Sequence, residues 1–276
     1  MKEKQSRIAI IGAGNMSRAL VSFLNKHKNE FGQVGVKGRT SESTTLFANE
    51  MCVLDWFEQK DWVNANCWVL CIKPNQFSDL SKALHDEFKA LAIKPTIVSL
   101  MAGVSIQSLE KTFPGTHILR LMANLSIANS SPMFAMCANT DNTNIDLVTK
   151  FKKTADVIAL DEEKMHLATV LLGSGPALFL AVQNKLQGIA KCQGFRQEDA
   201  LKIAKGALQG ASDLMDANQD PNKLIAQIAS PGGTTQAALN VVHESGLLAL
   251  IDDAVVAACK RSIEISDNDK KNENSD

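Results

Sequence analysis

Residues Ile8-Ala9-Ile10-Ile11 run directly into Gly12-Ala13-Gly14-Asn15-Met16-Ser17, and an apolar helical pattern follows through Leu24. A β-branched run that ends in two closely spaced glycines predicts a buried strand, a tight turn, and a helix packed back on the strand. Gly12 supplies the turn, and Gly14 lets the backbone approach a pyrophosphate. Ser17, at the third fingerprint position, is small enough for close helix–strand contact. The helix N-terminus then offers free N–H groups and its positive dipole end to an anion. A plain strand-to-helix turn would use the same glycines. The second strand at the expected distance, Gln33–Lys37, favours a dinucleotide site that takes in Gly12, Ala13, Gly14, Asn15, Met16 and Ser17.

The end of the second strand bears on which dinucleotide is bound. An acid there would meet the ribose hydroxyls of NAD, whereas Arg and small polar groups suit the extra phosphate of NADP. The chain reads Val36-Lys37-Gly38-Arg39-Thr40-Ser41, with no acid before Glu42. Arg39 can stack on adenine or fork a phosphate, and Thr40 can donate to it. NADPH is therefore the preferred cofactor, with NADH possible. Two further segments fit a cofactor cleft: Ile72-Lys73-Pro74 at the end of one strand, and Ala102-Gly103 just past the end of the next. In open sheets of this kind, ligands sit at the carboxyl ends of the strands.

Short β-branched runs alternate with helical stretches over the first part of the chain. Candidate strands are 7–11, 33–37, 68–72, 96–100, 118–122, 133–137 and 156–160, with a helix at 143–154 before the last. Strands separated by helices predict parallel pairing, because a parallel connection needs a crossover. The expected N-terminal fold is a Rossmann-type, doubly wound parallel α/β sheet. All three Trp and nine of the eleven Phe precede residue 160, whereas seventeen Ala follow it. Ala-rich helical patterns at 162–192, 196–217, 221–229, 234–245 and 247–264 predict an all-α C-terminal domain. The expected organisation is 1–160, 161–265, and a polar disordered tail at 266–276.

Composition narrows the chemistry. A net charge of −1 argues against a sequence-independent nucleic-acid binder, which needs a surplus of cations. There is no tyrosine, so a Tyr phenol cannot be the proton donor. The five His hold no i, i+4 pair and the six Cys no metal or disulfide spacing, so no metal site is expected. No apolar run approaches the ~20 residues that span a bilayer. The charged N-terminus has no signal-peptide pattern, and a cytoplasmic protein is expected.

A second glycine-rich constellation lies late in the chain, where Ser230-Pro231-Gly232-Gly233-Thr234-Thr235 precedes an apolar helical stretch. Adjacent glycines before a helix expose backbone donors, and Thr234 or Thr235 can cap the helix. That makes a site for a small carboxylate with a hydroxyl beside it, although Pro-Gly-Gly also marks an ordinary turn. Leu172-Gly173-Ser174-Gly175-Pro176 interrupts a helical pattern at a cost in stability, which close packing or ligand approach would offset.

Taken together, these segments resemble the pyrroline-5-carboxylate reductase family through essentially the whole chain before the polar tail. The resemblance implies hydride transfer from NAD(P)H to the C=N carbon of 1-pyrroline-5-carboxylate, giving L-proline. It implies that Thr235 hydrogen-bonds the ring nitrogen, and that the loop of Ser230, Gly232, Gly233 and Thr234 holds the carboxylate. Ser174 would also border the substrate, as would Asp216, the acid nearest to a Glu that bacterial members often carry. It further assigns dimerisation and substrate binding to the all-α C-terminal domain, and implies a homodimer through that helical domain and, in some members, a larger ring of dimers.

The chain also departs from the family pattern. Members commonly carry Arg-x-Met-Pro-Asn-Thr-Pro after a sheet strand, where this chain has Arg120-Leu121-Met122-Ala123-Asn124-Leu125-Ser126. Without its two prolines this loop is expected to be less rigid. Two other readings remain: a related NADPH-dependent reductase of another cyclic imine or small oxo acid, and a non-catalytic NADPH-binding homo-oligomer. Retention of Thr235 and its neighbouring glycines speaks against the second of these.

Overall fold

The computed structural model describes residues 6–57, 60–129, 132–140, 146–215 and 220–273. The chain divides into two compact units, Met1–Gly173 with Ala258–Asp276, and Ser174–Ala257. In the first unit, β1 (Arg7–Ile11) leads through α1 (Asn15–Lys26) and α2 (Lys28–Phe31) to β2 (Gln33–Lys37). Then come α3 (Ser41–Met51), β3 (Leu54–Asp55), β4 (Cys67–Leu70), α4 (Phe77–Lys89), β5 (Thr96–Ser99), α5 (Ile106–Thr112) and β6 (Ile118–Met122). The unit continues with β7 (Met133–Ala138), α6 (Asp146–Thr154), β8 (Asp156–Ala159) and α7 (Met165–Ala168).

These strands form one sheet of eight in the order β3-β2-β1-β4-β5-β6-β7-β8. The run from β3 to β6 is parallel. The expectation of parallel pairing throughout fails at β7, which is antiparallel to β6 with Leu119 opposite Ala138. Among its described residues the link between them holds only a short 3-10 turn, Leu125–Ala128, and its length is too little for a crossover. β8 then pairs parallel to β7 across α6. The two-residue β3 carries no alternating pattern in the sequence and was not foreseen there.

Both faces of the sheet are covered, which is why its strands read as continuous apolar runs. Ile8 and Ile10 face a core with Phe23, Phe31, Phe134 and Phe151, while Ala9 and Ile11 face Trp56, Trp62, Trp68, Phe88 and Phe113. Phe23 stacks on Phe151 at 6.0 Å, and Trp68 Nε1 donates to the Trp62 carbonyl at 3.1 Å. Gly35 of β2 is set by this packing, since a Cβ there would stand 2.3 Å from the Trp56 ring. The concentration of aromatics before residue 160 follows from these two cores.

The second unit contains α8 (Gly175–Cys192), α9 (Gln197–Leu214), α10 (Pro221–Ile228), α11 (Thr234–Glu244) and the first part of α12 (Leu247–Glu273). The helical pattern at 162–192 is not one regular helix: Thr169–Ser174 forms a π-helical turn just before α8, with Pro176 in the first turn of α8. The tail is corrected as well, because α12 runs on to Glu273 with neither Gly nor Pro to stop it. Few side chains of the second unit are buried, and Phe179, Leu180, Val182, Leu250 and Val256 are all more than half exposed. Such many-sided apolar helices need a further surface to cover them.

Candidate active site

The loops after β1, β2 and β4 meet at the carboxyl ends of their strands, where the strand order reverses between β1 and β4. Gly12 has φ +115°, donates its N–H to the Lys37 carbonyl at 2.9 Å, and leaves room for no side chain. A Cβ on it would stand 2.5 Å from the Cys71 carbonyl oxygen. Gly14 differs: it precedes α1 with φ −94° and ψ −173°, and nothing lies within 4 Å of where its Cβ would be. The open face at Gly14, with exposed Asn15 and half-buried Ala13 and Met16, leaves the N–H groups of α1 facing outward. This is the cradle that a pyrophosphate fits. Ser17 is fully buried, so it serves the helix–strand seam and does not reach that cradle.

Ser17 lies beside the Cys71 thiol, one of three sequestered thiols in this unit. Burial pushes the Cys67 and Cys71 thiols up to about 12 and the Cys137 thiol up to about 11, from an ordinary 9.0. An unfolded thiol ionises from pH 9.0 while these stay protonated, so their stabilisation is complete below pH 9.0. It is lost as pH rises toward about 12. We expect the urea midpoint to fall across that window, and the fall to shrink in a Cys67→Ala/Cys71→Ala variant. An identical slope in the variant would refute the assignment.

The turn after β2 is rigidly built. The Gly38 N–H donates to Thr44 Oγ1 at 3.0 Å, and Thr44 Oγ1 donates to the Thr40 carbonyl at 2.7 Å. Thr40 caps α3 by accepting from the Ser43 N–H at 3.3 Å, which engages the hydroxyl that the sequence assigns to a phosphate. Lys37 lies over the rings of Phe57 and Trp62 at 5.1 and 5.4 Å. Arg39 is exposed and makes no hydrogen bond or ion pair among the described residues, leaving it the available cation at this edge. A Cβ on Gly38 would be 3.5 Å from Ala13 Cβ, so the two loops touch.

After β4, Ile72 packs near Gly12 and Lys73 is exposed; the Lys73 N–H donates to Gln76 Oε1 at 3.2 Å as Pro74 starts a 3-10 turn. After β5, Ala102 is half-buried, but Gly103 (φ +79°) is closed off: its Cβ would meet Ile265 at 2.8 Å and the Ser262 carbonyl at 3.1 Å. Its glycine is required by the packing of α12.

The same region contains a pair that the sequence reading did not single out. Arg120 of β6 is buried, and its Nη1 lies 2.6 Å from Glu162 Oε1. That oxygen also accepts from the Ile106 N–H at 2.7 Å, at the start of α5. The signal was an Arg inside the otherwise apolar run Ile118-Leu119-Arg120-Leu121-Met122.

In the second unit, Gly233 is the N-cap of α11, so neither threonine hydroxyl caps the helix. Thr234 and Thr235 are its first two residues, exposed and half-buried respectively, and neither hydroxyl has a partner among the described residues. The Ser230 carbonyl accepts from the Gly233 N–H at 3.0 Å, and Gly232 takes φ +70°. A Cβ on Gly233 would fall 2.7 Å from Ser230 Oγ and 3.0 Å from the Ser230 carbonyl oxygen, so a larger residue there would have to turn the Ser230 hydroxyl aside. Ser174 is exposed at the end of the π-helical turn, and no hydrogen bond joins it to the 230–235 loop among the described residues. Asp216 lies outside the described residues. Among the described residues no group of three or more His, Cys, Asp or Glu could hold a metal ion.

A Rossmann-type sheet with an open glycine at the first helix, followed by a helical unit, defines a nicotinamide-dependent oxidoreductase. Residues 7–103 match a family model described as NADP oxidoreductase coenzyme F420-dependent, and residues 162–265 match one for pyrroline-5-carboxylate reductase dimerisation. The pyrroline-5-carboxylate reductase of Aquifex aeolicus (strain VF5) is 30% identical over 258 residues, covering 90% of this chain and 93% of that protein. That of Mycobacterium leprae (strain TN) is 27% identical, covering 95% and 97%. The structure of the Coxiella burnetii enzyme superposes with a TM-score of 0.79 at 27% identity, over 95% of this chain and 99% of that one. This chain belongs to the pyrroline-5-carboxylate reductase family.

Proposed function

We propose that this chain reduces the C=N bond of 1-pyrroline-5-carboxylate to form L-proline, the last step of proline biosynthesis, with NADPH preferred over NADH. Family membership over nearly the full length supports the reaction. The observation that carries the site is the N-terminus of α11, where backbone N–H groups and two uncommitted threonine hydroxyls stand together.

The α11 N-terminus, with Ser230, Gly232, Gly233 and Thr234, binds the substrate carboxylate through backbone donors and the helix dipole. Ser174 and Asp216 border the same substrate. Thr235 hydrogen-bonds the ring nitrogen. A protonated imine is already electrophilic, so the protein chiefly orients it and supports that nitrogen. Gly12, Ala13, Gly14, Asn15 and Met16 hold the pyrophosphate, while Arg39 and Thr40 meet the adenosine end. Ile72, Lys73, Pro74 and Ala102 border the remaining length. Ser17 and Gly103 act one step removed, by packing the loops. The bound dinucleotide supplies the hydride.

NADPH oxidation followed by absorbance, with pyrroline-5-carboxylate as substrate, tests this reading. Thr235→Ala is expected to lower kcat by about a hundredfold while leaving the Kd for NADPH unchanged. Unaltered turnover would remove Thr235 from the mechanism. Arg39→Ala should weaken NADPH binding about tenfold while barely changing NADH binding, in line with loss of a charge-assisted phosphate contact. Equal losses for the two cofactors would refute the NADPH preference.

The chain carries a dimerisation domain, and we place the homodimer on the exposed apolar faces of α8, α9 and α12, with rings of dimers as a further step. The helical run Glu162–Cys192 is long and apolar enough by length and composition to cross a membrane, contrary to the expectation that no run approaches that length. Pairing between subunits gives its apolar surface another use. All six cysteines are free thiols, in keeping with a cytoplasmic location.

A further inference from the structure

At the π-helical turn Thr169–Ser174 a side chain from the loop after β6 reaches a backbone carbonyl. In an α-helix the Leu172 carbonyl would accept from the N–H of residue 176, and residue 176 is Pro, which has none. Asn124 Nδ2 donates to that carbonyl at 3.0 Å. The other end of the amide, Oδ1, accepts from the Ser126 N–H at 2.9 Å and the Ser126 hydroxyl at 2.5 Å. A backbone N–H on one side and a carbonyl on the other fix which end of the amide faces which. The adjoining Gly173 presses on the same loop, since a Cβ there would lie 3.3 Å from Met122 Sδ. Lys26 also donates to the Ala128 and Asn129 carbonyls at 2.5 and 3.2 Å. Asn124 thus joins this loop to the π-helical turn.

We infer that Asn124 is a positioning residue for the reduction: it makes the hydrogen bond that Pro176 cannot and so fixes the turn that ends on Ser174. The inference rests on the function proposed above, in which Ser174 borders the substrate. π-Helical turns forgo regular pairing and persist where their surroundings hold them, commonly at functional sites.

Asn124→Asp separates the two ends of the amide. A carboxylate keeps the acceptor for Ser126 but turns an oxygen toward the Leu172 carbonyl, which abolishes the bond. Pro176→Ala restores an N–H at residue 176. In the intact protein, Asn124→Asp is expected to raise KM for the imine or lower kcat about tenfold, with the Kd for NADPH within about twofold. Adding Pro176→Ala should recover most of the loss, which generic destabilisation would not do. Wild-type kinetics in Asn124→Asp, an equal loss of NADPH affinity, or no recovery in the double variant would each overturn the inference. If Asn124→Asp does not fold, uncharged Asn124→Ala is judged by the same criteria.

Amide hydrogen exchange separates this inference from the function on which it rests. Residues 170–177 should exchange faster in Asn124→Asp and revert in the double variant, whether or not the wild type turns over the imine; unchanged exchange overturns the tether itself. Absence of wild-type turnover would instead refute the proposed reaction.

Discussion

Gly12→Ala is expected to cripple both stability and cofactor binding, whereas Gly14→Ala is expected to cost only the cofactor. At Gly12 the backbone sits at φ +115° and a Cβ would overlap the Cys71 carbonyl oxygen at 2.5 Å. A backbone oxygen at the end of a central strand cannot swing aside as a side-chain tip can, so β1 and β4 must separate. Left-handed strain of about 1–2 kcal/mol adds to roughly 1–3 kcal/mol of overpacking. Displacing the loop should weaken NADPH about a hundredfold. At Gly14 the φ is ordinary and nothing lies within 4 Å, so alanine fits the folded chain. Its methyl group stands where the phosphates approach. Thermal melts and NADPH titrations of both variants provide the check. A Gly14→Ala protein that binds NADPH like the wild type would remove the pyrophosphate from that face.

Glu162→Ala should be the most damaging change outside the cofactor loop. Among the described residues Glu162 is the only ionic partner of Arg120, whose side chain is 4% exposed and whose Nε has no hydrogen-bond partner there. Removing the carboxylate strands a buried guanidinium and also takes the acceptor from the Ile106 N–H. Water can reach the Glu162 side chain, at 36% exposure, so the low end of the range for a broken buried pair applies, about 3 kcal/mol. A double change to Arg120→Met/Glu162→Ala should be less destabilising than Glu162→Ala alone, because no unpaired charge remains. Urea midpoints of the three proteins measure this. A double variant that is less stable than the single would show that Arg120 contributes by packing and not through its charge.

Much of the first unit was legible because its signals are local. β1, β2 and β6 fall where their apolar runs place them, and the glycines at 12 and 14 mark the turn that follows β1. The helices of the second unit were readable from their three- and four-residue periodicity. What escaped reading depends on partners distant in the chain. β3 exists through pairing with β2, and β7 reverses because its connection is short. The Thr40 hydroxyl also caps α3, a contact made with the Ser43 N–H. Gly103 reads as a place for a ligand, yet its bare Cα is filled by Ile265, more than 160 residues away in sequence.

The sequence by itself determined the dinucleotide fold, the division into sheet and helices, and the Pro231-Gly232-Gly233-Thr234-Thr235 loop, because each is written in contiguous residues whose backbone preferences are intrinsic. Tertiary structure decided which glycine is held by packing and which is open to a ligand, and that distinction depends on what stands opposite an absent Cβ. It likewise decided that Arg120 has a partner in Glu162, and that the Asn124 amide meets the Leu172 carbonyl. No local pattern encodes these pairs. Each is a polar group in one segment meeting its complement in another, brought within reach only when the chain folds.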